Sequence, residues 1–155
     1  MGVAQIWITG GVHIVQGIVK NNDYYFGNSS YQYNNTAEMQ HVICQEIGHT
    51  LGLGHTSEDG SSQNTCMDYY HNTSSSDTTS THPNNHDYEQ LASIYAHLDS
   101  TTTIGSAPAS NGSSNGNDAS SWGRLVAGSR ASGESVYELR LNASQRVITF
   151  VIWAN

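Results

Sequence analysis

The chain has 155 residues, room for one domain and a small appendage, with 36% hydrophobic and only 12% charged side chains and a net charge of −8. Lys20 is the only Lys or Arg before Arg124, against ten Asp and Glu in the first hundred residues, so the surface repels phosphates and anionic lipid and a nucleic-acid partner is excluded. No apolar run is long enough to span a bilayer, and polarity carried by Ser, Thr, Asn and Gly points to a secreted, monomeric protein without membrane insertion.

No signal peptide is visible, and Met1 leads at once into strand-like sequence, so an N-terminally truncated chain is expected. Residues 4–9 (AQIWIT) and 12–20 (VHIVQGIVK) are rich in β-branched and aromatic residues, and Gly10-Gly11 between them predicts a hairpin. Residues 21–35 read as a loop. A helix is expected from Asn35 or Thr36, where Asn35 and Glu38 have the spacing of a capping box. Met39, Ile43, Ile47 and Leu51 recur at helical spacing as its buried stripe, and His41, Gln45 and His49 share the opposite face. Gly52 ends it, because glycine readily takes the left-handed conformation of a helix terminus.

Residues 56–83 read as loop, broken by CMDYY at 66–70. A second helix is expected over 85–98, capped by Asn85, with Leu91, Ile94, Tyr95 and Leu98 as its apolar stripe. Residues 100–121 are a Ser/Gly/Asn-rich linker with almost nothing to bury. Within 122–155, WGRLV, SVYELRL and VITFVIW predict three short strands, which either extend the sheet of the first segment or form a small binding module. Cys44 and Cys66 either remain buried thiols or form one disulfide that supports the site.

The chemistry concentrates in Gln45–His55, QEIGHTLGLGH. The pattern H-E-x-x-H-x-x-G-x-x-H puts two ligands four residues apart on one helical face, a glutamate beside them, and a third ligand after a glycine reversal. Glu46, His49, Gly52 and His55 are in register, Gln45 stands where the first histidine is expected, and Cys66-Met67-Asp68-Tyr69 follows.

These residues resemble the metzincin clan of zinc metallopeptidases, in feel its bacterial matrixin-like members, over roughly residues 1–99. The resemblance implies an α+β zincin-like catalytic domain: a small mixed sheet, an active-site helix and a C-terminal helix, followed here by the linker and a β-rich tail. It implies one catalytic zinc, a protein or peptide substrate and hydrolysis through metal-activated water. Glu46 matches the general base, His49 and His55 match metal ligands, and Met67 matches the methionine beneath the metal. Tyr69 matches a tyrosine that reaches the metal or the tetrahedral intermediate, and the strand at 12–20 matches the one that pairs with extended substrate. For Gln45 three readings stand: its carbonyl oxygen is a weak metal ligand, another histidine replaces it, or the domain binds no metal and is a catalytically inactive binding or structural domain of an extracellular protein.

Overall fold

The computed structural model describes residues 1–97 and 118–154. Five strands, β1 (Gly2–Thr9), β2 (His13–Asn21), β3 (Arg124–Ser129), β4 (Glu134–Arg140) and β5 (Gln145–Ile152), form one sheet in the order β2-β1-β5-β4-β3. Three helices accompany it: α1 (Asp23–Gly27), α2 (Thr36–Thr50) and α3 (Asn85–Ile94). The fold is α+β as expected, but all pairings between these strands are antiparallel, so the sheet is not the mixed one expected. Short connections account for this in the β1–β2, β3–β4 and β4–β5 pairs, since parallel neighbours need a long crossover. In the β1–β2 hairpin, Gly10 and Gly11 take φ of 58° and 86°, angles that favour glycine.

The first part of β1 is buried on both faces, with Gln5 donating to Thr149 at 3.1 Å, and the strand is paired on both sides, by β2 and by β5. The tail strands therefore extend the sheet rather than form a separate module. Val3 and Val151 turn one face toward Trp122, which is 1% exposed and packs with Tyr137 and Trp153. The other face receives α2. A Cβ on Gly2 would collide with Val42 and Glu46, and one on Gly17 would come within 2.8 Å of the Thr50 side chain, so these glycines let the helix approach.

α2 starts where the sequence predicts, with the Asn35 side chain accepting from the Glu38 N–H at 2.9 Å. Its buried face is the reverse of the expected one. Ala37, Glu38, His41, Val42, Gln45, Glu46 and His49 lie against the sheet and the loop after the helix, whereas Ile47 and Leu51 are 48% and 41% exposed. Met39, Ile43, Ile47 and Leu51 instead line a groove of about 510 Å³ with Tyr88 and Leu91. α3 is capped by Asn84, one residue earlier than expected, in a capping box with Asp87. Leu91 packs on the Leu53–Met67 cluster, but Ile94 and Tyr95 are exposed, and Leu98 and linker residues 100–117 lie outside the described residues. The loop expected over 21–35 contains α1, started by the Asn22 side chain. Cys44 and Cys66 are joined in a disulfide.

Candidate metal centre

α2 delivers Gln45, Glu46 and His49 to one buried place, each 1% exposed or less. The chain then reverses at Gly52, whose φ of 92° suits glycine, and the carbonyl of Leu53 accepts a 2.8 Å hydrogen bond from His49 Nδ1. A carbonyl can only accept, so the proton sits on Nδ1 and Nε2 carries the lone pair, the arrangement of a metal-ligating imidazole. Phe150 of β5 stacks on the same ring at 4.1 Å and 6°. Burial first, and then the neighbouring His55, hold His49 neutral with a pKa of about 3.

His55 stands perpendicular to His49 with ring centroids 4.6 Å apart. Two imidazoles that share a zinc through bonds of about 2.1 Å hold their centroids roughly 5 Å apart, so this spacing fits one ion. Gln45 Nε2 reaches the Asp68 carbonyl at 3.4 Å, which leaves Oε1 as the amide's free acceptor. Gln45 Oε1 and His49 Nε2 are buried without a hydrogen-bond partner, whereas His55 Nε2 lies 2.8 Å from the carboxylate of Glu134. Buried polar atoms are almost always paired, so two orphaned acceptors at motif positions 45 and 49 fit a place for a cation. Among the described residues no three His, Cys, Asp or Glu side chains form a ready-made cage. The donor set therefore depends on the neutral amide of Gln45, a residue type outside such a cage.

Glu46 is wholly buried, against β1 and β5. Burial first, then the charge of Glu134, push its carboxyl well above the ordinary carboxylate range, and the Met1 ammonium followed by the backbone amides of Ile152 and Ala4 offset this only in part. Neither oxygen makes a regular hydrogen bond. Met67 is 1% exposed beneath α2, where a methyl on Gly48 would run into its sulfur. The Tyr69 ring lies 4.2 Å from that of His55. Its hydroxyl donates to Glu134, and burial followed by that carboxylate's charge raises the phenol above its usual range.

A second buried group borders the site. Glu38, 2% exposed, does not close the expected capping box with Asn35. Instead its carboxylate accepts from His71 Nδ1 at 2.7 Å and from the Asn72 N–H at 2.7 Å. His41 is buried too, with Nε2 donating to the Asp68 carbonyl at 3.2 Å and Nδ1 3.8 Å from Glu38. Burial pushes Glu38 up, but His41 and the hydrogen bond from His71 outweigh it and hold the carboxyl at about 2, against an ordinary 4.5. A depressed carboxyl contributes stability that is present above its unfolded pKa and lost as pH falls through its folded one. Urea unfolding of the wild type should therefore lose on the order of 3 kcal/mol between pH 4.5 and 2 that Glu38→Gln does not lose. Equal acid sensitivity in both proteins would contradict the assignment. His71, raised by Glu38 despite burial, works at the other end: its contribution is full below 6.5 and fades as pH rises through its folded value.

The chain matches no family model, no curated protein and no solved structure. No helix among the described residues is long and apolar enough to cross a membrane. The geometry brings Gln45, Glu46, His49, His55 and Tyr69 together and packs Met67 and the disulfide below α2. It adds Glu134 of β4 and Phe150 of β5, which no spacing rule connects to a motif at 45–55.

Proposed function

We propose that the protein is a secreted zinc-dependent endopeptidase in which Gln45, His49 and His55 hold one zinc ion. The metzincin-like reading and the assignment of residues 1–99 as the catalytic segment rest on the same motif. The observation that carries the reading is that Gln45 Oε1 and His49 Nε2 are buried without a partner at two of the motif's ligand positions, with the His55 ring 4.6 Å from that of His49. The Cys44–Cys66 bond is compatible with an oxidising, extracellular setting.

Zinc bound there would supply Lewis acidity toward a peptide carbonyl and would make water more acidic. His49 stays neutral, as a ligand must, and its Nδ1 bond to Leu53 fixes the ring's orientation. Glu46 would take a proton at its carboxylate from the attacking water and return it to the leaving amine. Tyr69 keeps its hydroxyl proton and donates it in a hydrogen bond to a developing oxyanion. β2, at the edge of the sheet, offers unpaired backbone groups to an extended peptide.

Purified protein should carry zinc in stoichiometric amount, and Glu46→Ala should keep the metal while casein turnover falls by at least 100-fold, on the order expected for losing a general base. Equal turnover by wild type and Glu46→Ala would end the enzyme reading. One observation favours the alternative of a catalytically inactive domain: Glu46 is 0% exposed, out of reach of a substrate in this conformation.

A further inference from the structure

We propose that the end of the sheet where the β1–β2 hairpin meets the β4–β5 turn binds a small oxyanion between Arg140 and Arg146. The chain has only five basic side chains against thirteen acidic ones. Two of the five nevertheless stand directly opposite each other, as the last pair of the β4–β5 ladder. Like charges at facing positions of an antiparallel pair, with Cβ atoms about 4.5–5.5 Å apart, repel and destabilise it. On its other side Arg146 faces Ile8 of β1, so no acid faces it from either neighbouring strand.

Both arginines line a cavity of about 300 Å³, closed by Gly10, Gly11 and the turn residues 142–145. In this acidic chain no Asp or Glu among the described residues borders that cavity. Arg146 donates from Nη2 to the Gly11 carbonyl at 3.3 Å, but its Nε–H is buried without a partner. Leaving a charged group's buried donor unpaired costs more than leaving a neutral one. Arg140 donates from Nε to Glu138 at 3.1 Å, and its side chain is otherwise exposed.

An oxyanion between the two guanidinium groups cancels the repulsion of the facing charges and gives the orphaned Nε–H of Arg146 an acceptor. The planar fork of arginine matches two oxygens of a carboxylate or of a phosphoryl group. The acidic remainder of the chain repels polyanions, so the ligand is a small molecule carrying one such group. The site lies at the opposite end of β1 and β5 from Gly2 and Ile152, the residues next to Glu46. It therefore stands or falls independently of the metal centre.

Heteronuclear NMR of the full chain tests this, with backbone amides and arginine Nε–H groups followed during titration with inorganic phosphate or with succinate. Ionic strength is held constant with sodium chloride. Wild type should show saturable shifts confined to Gly10, Gly11, residues 142–146 and the Nε–H of Arg146. Saturation by either titrant supports the site, and the one that saturates at the lower concentration separates a phosphoryl ligand from a carboxylate. Arg146→Gln should weaken binding by about 10-fold or more, the loss of a charge-assisted hydrogen bond. If Arg146→Gln does not fold, Arg140→Gln, at an exposed position, should show the same weakening. Shifts that rise linearly with both titrants, or binding of equal strength in wild type and either folded variant, overturn the proposal.

Discussion

Trp122→Ala lowers the unfolding free energy by about 3–5 kcal/mol, the cost of emptying a large buried aromatic site. Trp122 is 1% exposed and contacts Val3 of β1, Val151 of β5, Tyr137 and Trp153. It joins the start of the chain to its end on the sheet face opposite α2. The loss takes a large share of the roughly 5–15 kcal/mol that holds a domain together. Trp122→Phe should cost far less, under about 1.5 kcal/mol, because the ring is largely kept and the N–H it removes is buried without a partner. Urea unfolding followed by circular dichroism measures both. A loss below about 1 kcal/mol for Trp122→Ala would mean that the tail strands do not pack on β1. Phe150 and Glu134 would then have no fixed place beside the histidines.

Breaking the disulfide, by reduction or by Cys44→Ser with Cys66→Ser, lowers stability by about 3 kcal/mol, the loop-closure effect for a separation of 22 residues. The bond ties α2 to the segment just before Met67, and the loop between the two cysteines carries His55. Its loss should also weaken zinc binding, since the third histidine is no longer held beside the second. Calorimetry with and without reductant, on wild type and the double variant, reads the first effect. Wild type in reductant should match the double variant. A wild type unmoved by reductant would contradict the bond.

The sequence and the structure agree where a local rule decides. Asn35 caps α2, Gly52 reverses the chain after it, and His49 and His55 end up as neighbours, because helical pitch and a glycine turn are short-range facts. They part where long-range contacts decide. Met39, Ile43, Ile47 and Leu51 form the more apolar stripe and should by periodicity be the buried one. The sheet instead covers the face with Gln45, Glu46 and His49, and the apolar row is left beside α3. A buried polar face runs against binary patterning, and such conflicts concentrate at functional sites. Glu38 was legible as a cap residue but not as the partner of His71, which comes from a loop of no regular spacing. Glu134 and Phe150 left no signal at all, because only the insertion of β5 between β1 and β4 brings them to the motif.

X-ray absorption at the zinc edge of the metal-reconstituted full chain tests the metal centre most directly. The account predicts a shell of two imidazole nitrogens with the remaining donors oxygen and no sulfur, and loss of the bound zinc in His49→Ala. A shell without imidazole, or the same zinc bound equally by His49→Ala, would contradict it.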